Sequence, residues 1–128
     1  MEHRHDRHTK SMLAEHMVFT PKYRGKVLVG DIAGECDKVI REICKELDVE
    51  VLDLAVAPDH VHLLIQYPPK LSVSEIAKKV KGGSSKRLRS KFPELKEWCE
   101  KGLWTRSAYH GSVGVETNKV SRYIEFQK

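Results

Sequence analysis

Between Asp31 and Leu47 the apolar residues Ile32, Cys36, Val39, Ile40, Ile43, Cys44 and Leu47 recur at helical spacing, with mostly charged residues between them. This is the most sustained 3.6-residue stripe in the chain. It predicts an amphipathic helix capped by Asp31 that covers one side of a sheet. The period then changes to two. Val49 to Ala57 and His60 to Tyr67 read as strands, and Ala57-Pro58-Asp59 between them is too short for a crossover, so an antiparallel hairpin is expected. In the second of these strands Val61, Leu63, Ile65 and Tyr67 share one face, while His60, His62, Leu64 and Gln66 share the other. The first set can pack on the helix. The histidine face is expected to stay open, available to a ligand or to a later helix. Pro68 and Pro69 end the strand.

The remaining pattern completes a layout. Leu13 to Thr20, centred on Met17, Val18 and Phe19, forms a first strand, broken by Pro21-Lys22-Tyr23-Arg24-Gly25. Ser72 or Ser74 caps a second helix with Val73, Ile76, Ala77 and Val80 inward; Lys81-Gly82-Gly83 is expected to interrupt or bend it. Ser84 to Phe92 continues, with Leu88 inward. Pro93 to Lys101 is a short helix or turn, Leu103 to His110 a fourth strand, Gly111 to Gly114 a turn, and Val115 to Lys128 a closing helix capped by Thr117. The order β, α, β, β, α, β, α predicts an α+β fold of the ferredoxin-like, split βαβ kind: an antiparallel sheet, two helices on one face and an added C-terminal helix. The 128 residues make one domain, 1–128, with residues 1–10 expected to be flexible. His3, His5 and His8 fall in that terminus, where nothing nearby would fix them as ligands.

Charge narrows the partner. The net charge of +5 and a pI near 9.1 favour a polyanion. Lys78 to Lys91 holds seven basic residues and no acid, including Lys81, Lys86, Arg87 and Arg89. A solvated charged face would look similar, but paired glycines and missing acids favour phosphate contacts. The odd number of cysteines (Cys36, Cys44 and Cys99) and their spacing suit reduced thiols in a cytoplasmic protein, with Cys36 and Cys44 buried. No apolar run reaches the ~18 residues of a membrane span, and no signal region follows the charged N-terminus.

Candidate chemistry sits on the third strand and the last helix. His60 and His62 have origins roughly 6.5 Å apart on one strand face. Two such rings can converge on one metal ion, or they can be two ordinary polar residues on the wet side of a sheet. Tyr123 and Gln127, four residues apart, share one helix face. A tyrosine can attack a phosphodiester once its proton, of ordinary pKa ~10, is removed. A metal on the histidines would polarise the phosphate, and Gln127 could add a neutral oxygen ligand.

These residues also carry a resemblance. Asp59-His60-Val61-His62-Leu63-Leu64 resembles the histidine-hydrophobic-histidine motif of HUH endonucleases. Most of the chain resembles one branch of them, the small single-tyrosine transposases of insertion-sequence-200-like elements, of the TnpA type. Glu15 to Arg24 resembles that family's opening strand and Lys-Tyr-Arg turn, Val80 to Lys86 its basic glycine segment, Trp104 to Gly114 its last strand and turn, and Val120 to Gln127 its nucleophile helix. The resemblance implies Tyr123 as nucleophile, His60, His62 and Gln127 as metal ligands, Mg²⁺ or Mn²⁺ as the ion, and Asp59 beside the metal site. Ligand softness alone would also allow Zn²⁺ on two imidazoles. It implies a homodimer that binds single-stranded DNA with hairpin ends, cleaves through a 5′-phosphotyrosine link and rejoins strands. Two other readings compete. One is a non-catalytic ferredoxin-like nucleic-acid-binding module, which usually shows stacked aromatics on its open sheet face. The other is an HUH replication initiator or relaxase, made less fitting by the short chain.

Overall fold

The computed structural model describes residues 12–106 and 109–112. Within them lie β1 (Leu13–Phe19), α1 (Gly30–Glu46), β2 (Glu50–Ala57), β3 (His60–Tyr67), α2 (Val73–Lys91), α3 (Pro93–Trp98) and β4 (Tyr109–Ser112), with a 3-10 turn at Lys22–Arg24. The strands form an antiparallel sheet in the order β2-β3-β1-β4. β2 and β3 pair as the expected hairpin, with Ala57 opposite His60, and β1 inserts beside β3 with Met17 opposite Leu63 and Val18 opposite His62. The α+β class of the sequence reading holds. The terminal residues 1–10 and the expected closing helix, with Tyr123 and Gln127, lie outside the described residues.

Alternation places the core. Met17 and Phe19 of β1 and Val61, Leu63, Ile65 and Tyr67 of β3 are buried with Cys36, Val39, Ile40 and Ile43 of α1 and Ile76, Val80 and Leu88 of α2. Both long helices therefore lie on one sheet face, and α1 uses the stripe that its sequence shows. On the histidine face Ala14, His16, Ala55, His62 and Leu64 are also buried.

Local expectations meet mixed outcomes. Ser72 caps α2: its hydroxyl accepts from Glu75 N–H, and the Glu75 carboxylate accepts from Ser72 N–H in return. Asp31 is not the cap of α1; Val29 holds that position without a side-chain bond, and Asp31 lies in the first turn, where its charge suits the helix dipole. Gly82 and Gly83 do not interrupt α2, which is one helix of 19 residues. The reason for Gly83 is close packing, since a Cβ there would stand 2.8 Å from Ile43 Cδ1.

The fourth strand is Tyr109–Ser112, not Leu103 to His110. Leu103 and Trp104 are β-formers, but α2 claims them. Leu103 N–H donates to Ser85 Oγ at 2.9 Å and Trp104 Nε1 to Ser84 Oγ at 2.9 Å, and both side chains are buried. Only an isolated bridge to Pro21 remains there, and the ladder to β1 starts at Tyr109, opposite Val18.

Candidate functional site

The short Pro58-Asp59 turn leads straight into β3, so Asp59 stands beside the first histidine of the strand. His60 Nδ1 donates to Asp59 Oδ1 at 2.7 Å. That bond, against the opposing effect of burial, holds the Asp59 carboxyl below the usual carboxylate range. It also fixes the ring: with its proton on Nδ1, the neutral imidazole directs the Nε2 lone pair elsewhere. His60 Nε2 is buried and no described residue hydrogen-bonds it.

His62 follows two residues later on the same face, flanked by Val18 of β1 and Ala55 of β2. The two rings meet edge to face, with centroids 4.7 Å apart and planes at 86°. His62 Nδ1 lies 3.5 Å from Nε2 of His16, a residue of β1 diagonal to it. The His16 and His62 planes differ by 7°, and their centroids are 5.7 Å apart. That separation exceeds the nitrogen–nitrogen distance by about two ring radii. The rings therefore face each other nitrogen to nitrogen, along their edges, and are not stacked face on face. Burial pushes the His16 pKa down, which favours the neutral ring able to accept at Nε2.

Each strand histidine thus has Nδ1 occupied by a separate group, Asp59 for His60 and His16 for His62, with Nε2 as its other nitrogen. This is the arrangement in which metal-ligating imidazoles are usually held. The pair fits a metal as two neutral nitrogen donors. Among the described residues no third ligating group joins them; Gln127, the expected third ligand, and Tyr123 lie outside.

Sequence reading missed His16. Its signal is the two-residue period of β1, which puts His16 on the face of Val18, but linking that face to His62 needs the β1–β3 register. Small side chains keep the region clear, since Ala55 and Ala57 oppose His62 and His60 on β2.

The basic segment divides in two. On one flank of α2, Arg87 Nη2 donates to Glu46 Oε1 at 3.0 Å and Lys91 Nζ to Glu35 Oε1 at 3.1 Å. The acids missing from the segment itself come from α1, so Arg87 is a partnered surface cation and Lys86 an exposed one. On the other flank, Lys81 Nζ donates to the carbonyls of Thr105 and Arg106, at 2.8 and 3.0 Å, and Arg89 donates to the Glu100 carbonyl. Desolvation lowers the Lys81 pKa. These two residues line a groove of about 760 Å³ together with Lys78, Lys101 and Arg106. Lys101 and Arg106 were not singled out in the sequence, because they reach this place from a separate segment.

This α+β fold is shared with two solved transposase structures. A chain from Deinococcus radiodurans assigned to the transposases superposes with a TM-score of 0.76 at 34% identity, covering 91% of each chain. A REP-associated tyrosine transposase bound to a REP hairpin shares the fold, with a TM-score of 0.62 at 12% identity over 86% of this chain and 61% of that one. Residues 9–127 match the family described as "Transposase IS200 like", and the chain belongs to that family. It is 35% identical over 121 residues to the transposase of insertion sequence element IS200 from Salmonella typhimurium, covering 94% of this chain and 80% of that protein. It is 36% identical over 117 residues to the ISDra2 transposase TnpA of Deinococcus radiodurans, covering 90% and 84%. No described helix is long and apolar enough to cross a membrane.

Proposed function

We propose that this transposase cuts and rejoins single-stranded DNA with Tyr123 as the nucleophile, assisted by a divalent metal on His60, His62 and Gln127. The observation that carries the reading is the held histidine pair: both Nδ1 atoms are engaged, and His60 Nε2 is buried with no described partner. Family membership supports the same reaction class.

Asp59 and His16 act as positioning residues. Asp59 fixes the tautomer of His60, and His16 holds the ring of His62 from the neighbouring strand. A bound Mg²⁺ or Mn²⁺ would supply charge neutralisation at the scissile phosphate. His60, His62 and Gln127 would hold the ion, and two imidazoles would leave room for the oxygen ligands that these ions prefer. Tyr123 Oη loses its proton and bonds to phosphorus, and the bond to the 3′-oxygen breaks. That oxygen leaves as a 3′-OH, while the 5′ side stays on the protein as a phosphotyrosine. Attack by a 3′-OH on this link forms the new phosphodiester and returns the tyrosine, so no external energy source is needed. The split βαβ, ferredoxin-like arrangement suits this chemistry, and the strand order β2-β3-β1-β4 supports it, because the face away from the helices carries the histidines. The working form in this reading is a homodimer in the cytoplasm, acting on DNA with hairpin ends.

The test is a covalent adduct. The full chain is incubated with Mg²⁺ or Mn²⁺ and a 5′-labelled and a 3′-labelled single strand ending in a hairpin. A denaturation-resistant complex that carries the strand downstream of the cut is expected, and Tyr123→Phe should not form it. An adduct of equal yield from Tyr123→Phe would remove Tyr123 as nucleophile. Hairpin binding with no cleavage in any divalent metal would favour a non-catalytic binding module.

A further inference from the structure

Among the described residues, the groove between α2 and the Lys101–Arg106 segment is lined by five cations, Lys78, Lys81, Arg89, Lys101 and Arg106, and by no carboxylate. Lys81 and Arg89 are tied down, but to backbone carbonyls, so their charges are not cancelled. Lys78, Lys101 and Arg106 are exposed. The opposite flank of the same helix differs, with Arg87 and Lys91 each facing a glutamate. Among the described residues, glutamates therefore face Arg87 and Lys91 on one side of α2, and none faces the groove cations on the other.

The location of the groove gives that charge a direction. The wall from Trp104 to Arg106 is fixed to the C-terminal end of β1: Trp104 bridges Pro21, and Thr105 N–H donates to Thr20 O at 2.8 Å. At that same end β1 pairs Phe19 with Val61 and Val18 with His62, and β3 begins at His60. The groove and the histidine pair thus share one end of the sheet but lie on its opposite faces, so a strand joining them must pass around that end. The cations stand on both walls, three on α2 and two on the facing segment. Opposed cationic walls straddle one phosphate chain, whereas a duplex presents two backbones across a broad surface.

We propose that this groove carries the sugar–phosphate backbone of a single DNA strand leading to the histidine pair. The proposal rests on the transposase reading above and adds Lys78, Lys101 and Arg106 as strand contacts. It excludes Arg87 from that role.

The test compares the full chain with a Lys78→Gln/Lys101→Gln/Arg106→Gln variant. The probes are an unstructured oligothymidine and a blunt hairpin duplex, each titrated across a salt series. For the single strand, loss of three phosphate contacts should reduce the slope of log K against log salt by roughly 2. Affinity at low salt should fall at least tenfold, while duplex binding changes little. Arg87→Gln/Lys91→Gln should keep the wild-type slope, and Lys78→Arg/Lys101→Arg should keep it too. An unchanged slope in the triple variant overturns the proposal, as does a loss confined to the duplex or an equal loss in the Arg87/Lys91 control. Adduct formation alongside an unchanged slope would sink the groove alone. A groove-dependent slope without any adduct would sink the cleavage reading and leave the groove as a strand-binding site.

Discussion

His16 Nε2 and His62 Nδ1 face each other at 3.5 Å across the β1–β3 ladder, with ring planes 7° apart. Asp59 Oδ1 and His60 Nδ1 form the parallel contact at 2.7 Å. Both contacts hold a ring without using Nε2. Removing either partner should leave the donor nitrogens present but poorly aimed, a loss that typically weakens metal binding about 10–100-fold. We expect His16→Ala and Asp59→Ala each to bind Mn²⁺ more weakly by roughly that factor, measured by electron paramagnetic resonance of free Mn²⁺. Hairpin binding in EDTA should stay near wild type. His16→Asn, which keeps a polar partner, should recover part of the metal affinity. Equal loss of metal and hairpin binding would mean that His16 supports only the sheet.

Histidine removal separates chemistry from binding. His60→Ala takes away a proposed ligand whose Nε2 has no described hydrogen-bond partner, so little stabilisation goes with that atom. Cleavage should fall below detection while hairpin affinity stays within about threefold. Cleavage at a wild-type rate would exclude the histidine pair from the reaction.

The two glycines of α2 should respond in opposite ways to alanine. Nothing lies within 4 Å of a Cβ built on Gly82, while one on Gly83 would stand 2.8 Å from Ile43 Cδ1. Gly82→Ala gains helix propensity at no steric cost and should stabilise the fold by about 0.8–1 kcal/mol. Gly83→Ala gains the same propensity but pushes on a buried isoleucine, at a cost of about 1–3 kcal/mol. It should be neutral or destabilising. Urea unfolding of the two variants checks the ordering, and reversal would mean that α1 and α2 are less closely packed than the structure has them.

This contrast shows what was legible in the sequence. The α1 stripe, the β2–β3 hairpin, a serine cap at Ser72 or Ser74 and the two-residue alternation that pairs His60 with His62 are local patterns, and local patterns fix them. The continuity of α2 was not legible, because helix propensity alone penalises two adjacent glycines and says nothing of the neighbour that needs the space. The fourth strand was misplaced for a related reason: Leu103 and Trp104 look like strand residues, yet the hydroxyls of Ser84 and Ser85 take their N–H groups. The role of His16 and the charge balance of α2 both depend on partners distant in the chain. His16 meets a residue 46 positions away and Arg87 one 41 positions away. Of the expected site, the structure brings His60, His62 and Asp59 together, while Tyr123 and Gln127 lie outside the described residues.

The cysteines give a prediction in pH. Burial pushes the Cys36 thiol up to about 12 and the Cys44 thiol up to about 11. In the unfolded chain a thiol ionises near ~8.5. From that pH upward the unfolded state loses protons that the folded state keeps, so unfolding becomes more favourable as pH rises. Each thiol should therefore remove roughly 1.4 kcal/mol of stability per pH unit, beginning near pH 8.5 and levelling off as its folded value is reached. Other groups titrate in the same window, so the measurement is a difference. Urea unfolding of the wild type and of Cys36→Ala/Cys44→Ala is compared between pH 8 and pH 10. The wild type should lose more stability over this interval, by about 2–4 kcal/mol. The variant starts lower because two buried side chains are shortened, but that deficit should shrink as pH rises. A constant deficit would mean that both thiols ionise in the folded protein as readily as in the unfolded chain, and the buried positions of Cys36 and Cys44 under the sheet would then be wrong.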